Sequence, residues 1–65
     1  MKERLKLLRK QKGVTQKTVA DAIGVTLSAY SNYEQGLREP NNQILINICK
    51  YYDVTADYLL GIEDF

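Results

Sequence analysis

Apolar positions in this chain recur at helical spacing, and no stretch alternates apolar and polar residues long enough to suggest a strand. Leu5 and Leu8 lie three apart, and Val19, Ala20 and Ile23 mark one side of a second segment. Ala29, Tyr30 and Tyr33 share a side of a third. Leu45, Ile48, Cys49 and Tyr52 stand at i, i+3, i+4 and i+7 of a fourth, and Leu59, with Tyr58 beside it, supplies a fifth. The pattern predicts an all-α fold of five helices, at about residues 2–11, 16–23, 27–35, 42–52 and 56–60.

The residues between these segments supply starts and stops. The pair Val-Thr occurs three times, as Val14-Thr15, Val25-Thr26 and Val54-Thr55. Each time an apolar residue follows five positions after the valine: Val19, Tyr30 and Leu59. A threonine N-cap can accept a hydrogen bond from an unpaired amide of the first helical turn. The valine before it and the fourth helical residue after it then have the spacing of a hydrophobic staple, so the pair marks three helix starts. The third helical positions hold Thr18, Ala29 and Tyr58, so a reciprocal capping box is absent. Asn41, after Pro40, is a cap for the fourth start. Gly13, Gly24, Gly36 and Gly61 each follow a periodic stretch, where a left-handed residue ends a helix. The loops are short, and residues 1–65 read as a single domain with a helix-turn-helix at about 15–35.

Composition narrows this picture. At 65 residues and 45% apolar content the chain has room for one small domain. One cysteine and no histidine exclude an intramolecular disulfide and suit a reducing compartment. No apolar run is long enough for a membrane span or a signal peptide, so a cytoplasmic protein is expected. Without a histidine, a metal-ligand cluster or a glycine-rich phosphate loop, neither an enzyme nor a cofactor is expected. Net charge is only +1, but residues 1–12 carry six bases against Glu3, whereas residues 53–65 carry Asp53, Asp57, Glu63 and Asp64 and no base. The basic start reads as a solvated face that adds long-range attraction to an anionic partner.

The third segment holds the candidate chemistry. At 100° per residue, Leu27, Ser28, Ser31, Asn32 and Gln35 fall on an arc of roughly 140°, opposite Ala29, Tyr30 and Tyr33. An uncharged face of short side chains suits the major groove of DNA. Asn can pair bidentately with adenine, Ser can donate or accept, and Leu can contact a thymine methyl. The same arc also fits an ordinary solvated helix face, and the pattern by itself leaves both open.

The stretches "LRKQKGVTQKTVADAIGVTLSAYSNYEQGLREP" and "DVTADYLLG" resemble the phage-repressor and Cro type of helix-turn-helix domain, the XRE family. The resemblance runs from about Leu5 to Gly61 and implies a compact five-helix, lambda-repressor-like fold whose third helix reads DNA. It implies that Leu27, Ser28 and Asn32 face base edges, with Ser31 as a weaker reader. Gln16 resembles the family's phosphate-holding glutamine, Thr26 and Gln35 resemble backbone contacts, and Arg38 resembles the basic phosphate contact, with Lys17 as helper. Arg9 and Glu34 match a pair that ties helix 1 to helix 3 in the family. The implied partner is double-stranded DNA, an operator with two-fold symmetry bound by a homodimer.

Two positions depart from the family pattern. Tyr30 stands at a buried point that is often aliphatic, which requires either room in the core or a hydroxyl that reaches the surface. Leu27 stands where many relatives carry Arg or Gln, which points to modest specificity that rests partly on DNA shape. Cys49 reads as a buried, inert thiol. The alternative function is a protein-interaction module, antitoxin-like or regulator-binding. For that role the C-terminal apolar residues Tyr51, Leu60, Ile62 and Phe65 offer a partner surface. Length leaves open whether the chain is a whole small regulator or an excised N-terminal domain.

Overall fold

The computed structural model describes residues 1–62, which form five helices. They are α1 (Lys2–Lys12), α2 (Gln16–Ile23), α3 (Leu27–Gln35), α4 (Asn42–Tyr52) and α5 (Ala56–Leu60). Of the C-terminal residues singled out above, Glu63, Asp64 and Phe65 lie outside the described residues.

The starts form as the caps require. The hydroxyls of Thr15, Thr26 and Thr55 accept from the backbone amides of Thr18, Ala29 and Tyr58 at 3.2, 3.1 and 3.0 Å. Asn41 Oδ1 accepts from the Ile44 amide at 2.9 Å. Each such cap is worth about 1 kcal/mol. Val14, Val25 and Val54 are half-buried against the core, and Val19, Tyr30 and Leu59 are fully buried.

All four glycines occupy left-handed cap positions, and the stop of α4 is made differently. Asp53 ends that helix at φ 56°, the only non-glycine with positive φ among the described residues. Aspartate tolerates this conformation better than most side chains, so composition alone did not flag it.

The core gathers one side of every helix: Leu5 of α1, Val19, Ala20 and Ile23 of α2, Tyr30 and Tyr33 of α3, Ile48 of α4 and Leu59 of α5. Leu8, Leu45, Cys49 and Tyr52 pack around it half-buried. The Cys49 thiol is therefore only partly enclosed, and burial raises its pKa. Asn47 of α4 donates to the Ile23 carbonyl at 3.1 Å, which braces α4 against the C-terminal end of α2.

The charge asymmetry is partly folded onto itself. The Arg4 guanidinium lies 4.5 Å from the centre of the Tyr58 ring and donates to the Tyr58 carbonyl. Lys12 lies 5.0 Å from the Tyr51 ring, which meets Tyr52 edge to face. Two bases of α1 are thus engaged by tyrosines of the C-terminal half, where a fully solvated face was expected. Cation–π contacts of this kind contribute about 0.5–1 kcal/mol at exposed sites.

Candidate nucleic-acid interface

The geometry of α3 is set by the turn that precedes it. Gly24 adopts φ 84° and its amide bonds back to the Ala20 carbonyl at 3.0 Å, as does the amide of Val25. Val25 tucks its side chain against the core, and Thr26 caps the next helix. With both ends of the turn pinned, α3 can present only one face inward. Tyr30, Tyr33 and Glu34 occupy that face, the two rings meeting at 87° with centroids 6.4 Å apart.

The opposite face is open. Leu27, Ser28 and Gln35 are exposed, and Ser31 and Asn32 are half-buried along the same side. Leu27 keeps 47% of its surface in solvent although it is a large apolar residue at the first position of the helix. Gln35 Nε2 donates to Ser31 Oγ at 2.8 Å, so these two candidate contacts are joined to each other. Beyond α3, Gly36 turns the chain and the amides of Leu37 and Arg38 fold back onto the Asn32 carbonyl at 3.0 and 3.4 Å. That places exposed Leu37 and Arg38 just past the end of the helix. Lys17 is exposed and pairs with Asp21 at 3.4 Å, one turn along α2.

Beneath this face lies a buried polar cluster. Arg9 grips Glu34 through two bonds, Nε to Oε2 at 2.7 Å and Nη2 to Oε1 at 3.2 Å. Its third nitrogen donates to the Val14 carbonyl at 3.3 Å. Glu34 is 1% exposed, yet its oxygens are fully engaged, because Gln16 Nε2 also donates to Oε1 at 3.1 Å. Burial pushes the Glu34 carboxyl up, but hydrogen bonds from Arg9, Tyr30 and Gln16 outweigh it and hold the pKa below the usual carboxylate value. The Arg9 guanidinium is driven up in turn, chiefly by its bond to Glu34.

Tyr30 resolves the question its position raised. The ring is fully buried and its hydroxyl meets the Tyr52 hydroxyl at 2.9 Å, so the core has room for the ring and supplies a partner. Burial, together with the bond to Tyr52, pushes its pKa far above the ordinary tyrosine value. Sequence patterning placed Tyr30 and Tyr52 on apolar faces, but it carried no signal that their polar tips meet. The brace from Asn47 was equally invisible, since it depends on where α4 crosses α2.

A family profile described as helix-turn-helix matches residues 5–59. The chain belongs to this helix-turn-helix family. Its five-helix domain superposes on the P22 c2 repressor, solved in complex with a synthetic operator, with a TM-score of 0.86. Identity there is 31%, over 89% of this chain and 88% of the repressor chain. Among curated members of the family, the uncharacterized HTH-type transcriptional regulator YqaE of Bacillus subtilis is 53% identical over 61 residues. The cryptic phage CTXphi transcriptional repressor RstR of Vibrio cholerae is 38% identical over 61. Each alignment covers 94% of this chain, which spans about half the length of either regulator, 53% and 54% respectively. Among the described residues, no helix is long and apolar enough to cross a membrane.

Proposed function

We propose that this protein binds double-stranded DNA in a sequence-specific way and acts as a transcriptional regulator, with α3 lying in the major groove. The observation that carries the reading is the outward face of α3. Leu27, Ser28, Ser31, Asn32 and Gln35 form an uncharged strip on a helix whose other side is locked into the core. Such a strip can read base edges without the desolvation that a charged helix face would require.

In this reading Leu27, Ser28 and Asn32 contact bases, with Ser31 assisting. Gln16, Lys17, Thr26, Gln35 and Arg38 hold phosphates and fix register. The Gln16 backbone N–H, at the start of α2, adds a helix N-terminus aimed at the same anion. The residues act by binding, with no catalytic step and no cofactor. The working form is a homodimer on an operator with two-fold symmetry, in the cytoplasm, where the two half-sites lie about one helical turn apart. The P22 c2 repressor, seen with its operator, supports the DNA-binding reading over a protein-interaction module.

Selection from random duplex DNA at fixed, near-physiological salt tests this. Salt must be fixed because phosphate-driven affinity changes steeply with it. Enrichment of an inverted repeat is expected. An unenriched pool retained only in a salt-sensitive manner would mean that α3 does not read bases.

A further inference from the structure

We propose that Glu34 is a positioning residue for Gln16: its buried carboxylate fixes the glutamine amide so that the remaining N–H faces the phosphate backbone before DNA arrives. The inference rests on the DNA-binding reading above and assigns to the ion pair a part in binding besides holding helices together.

Three contacts clamp the start of α2. Arg9 Nη1 holds the Val14 carbonyl, Thr15 Oγ holds the Thr18 amide, and Glu34 Oε1 holds the Gln16 side chain. The first two fix where the helix begins, and the third fixes where its first side chain points. A primary amide carries two N–H donors and one carbonyl oxygen. Glu34 accepts only, so the amide must turn its nitrogen toward it, and the orientation follows from chemistry. One N–H is directed at Oε1, and the other points away from the carboxylate. Gln16 is half-buried, so it is not sealed from solvent.

The charges make this arrangement workable. An unpaired carboxylate so close to a phosphate site would repel the phosphate. Here Arg9 covers both Glu34 oxygens, so the acceptor that orients Gln16 belongs to a neutral pair. The gain is entropic: holding a glutamine side chain in place beforehand is worth about tenfold in affinity when that side chain is later used in binding.

A mutant cycle tests the proposal. Truncating Glu34 alone would leave Arg9 uncompensated, so Arg9→Met and Glu34→Met are introduced together, a replacement that buried ion pairs tolerate far better than loss of one partner. Binding to a short mixed-sequence duplex at low salt is measured for the wild-type chain, Gln16→Met, the Arg9→Met/Glu34→Met double variant and the triple variant. In the wild-type background Gln16→Met is expected to weaken binding about tenfold. In the double-variant background the same change is expected to cost less than about threefold. Equal losses in the two backgrounds would overturn the proposal while leaving the DNA-binding reading intact. Failure of the wild-type chain to bind the duplex at low salt would overturn that reading, and the proposal with it.

A second readout does not depend on DNA. In the NMR spectrum of the free chain, the Gln16 side-chain amide should stand apart from the mobile glutamine signals and rejoin them in the Arg9→Met/Glu34→Met variant. A mobile Gln16 amide in the wild-type chain would equally overturn the proposal.

Discussion

The hydroxyls of Tyr30 and Tyr52 meet 2.9 Å apart, joining the middle of α3 to the last residue of α4. Tyr30 also helps to hold the Glu34 carboxyl below its ordinary value, so the tyrosine pair and the ion pair are neighbours. The shared proton of the tyrosine pair can sit on either oxygen.

Tyr30 is fully buried and Tyr52 half-buried, which predicts unequal effects. Tyr30→Phe removes a fully buried hydroxyl beside Glu34 and should cost about 1–3 kcal/mol, the range for bonds involving a charged group or leaving a buried partner short. Tyr52→Phe removes the half-buried member of the pair and should cost about 0.5–1.5 kcal/mol. The double variant should be little worse than Tyr30→Phe alone, since both changes remove the same bond. Urea unfolding of the three variants checks this, and additive losses would show that the two hydroxyls act independently.

Acid should weaken the fold through Glu34. Its folded-state pKa is held below the ordinary value of 4.5, so the unfolded chain takes up its proton first as pH falls. The stabilisation is fully present above that ordinary value and is lost as pH drops through the lower, folded-state value. At neutral pH, Glu34→Ala strands the Arg9 guanidinium, which is 19% exposed, and should cost about 3 kcal/mol. Glu34→Gln should flatten this part of the acid limb. Stability measured by denaturant titration from pH 7 downward would expose an error in the assignment if Glu34→Gln and wild type lost stability in parallel.

Asp53 offers a stabilising change. Its carboxylate sits at the negative end of the α4 dipole while its backbone is left-handed. Asp53→Asn keeps a side chain that tolerates this conformation and removes the unfavourable charge, so stability should rise by about 0.3–1 kcal/mol at low salt. Thermal melting at low and high salt is the check, because a charge effect fades as salt is added.

Base reading and phosphate holding should separate by mutation. Asn32→Ala should relax preference at one base position by about 1–3 kcal/mol, whereas Gln16→Ala should weaken all sequences alike. Repeating the duplex selection with each variant distinguishes them. If both left the preferred sequence unchanged and weakened binding equally, Asn32 would be a backbone contact.

Much of the fold was legible because its signals are local. A threonine that caps a helix bonds to an amide three residues on, and a staple spans five positions, so both can be read from neighbouring letters. That is why α2, α3, α4 and α5 begin where Thr15, Thr26, Asn41 and Thr55 place them. The face of α3 was legible for the same reason, since helical period alone puts Leu27, Ser28, Ser31 and Asn32 opposite Tyr30 and Tyr33. The end of α4 at Tyr52 was legible too, but the left-handed Asp53 that makes it was not, because no glycine announces it.

The family resemblance suggested that Arg9 and Glu34 pair, but no local pattern linked Gln16 to the same carboxylate, eighteen positions along the chain. The two stacked cations were hidden likewise: Arg4 and Tyr58 lie 54 positions apart, and a basic run read by itself looks solvated. By itself the sequence determined where helices start and stop and which side of each is apolar, because those depend on bonds and periods within a few residues. The tertiary structure alone decided which polar tips meet inside: Tyr30 with Tyr52, Asn47 with the Ile23 carbonyl, and Gln16 with Glu34. Those partners are set by how the helices cross, and a buried polar group is satisfied by whatever acceptor or donor that crossing brings within reach.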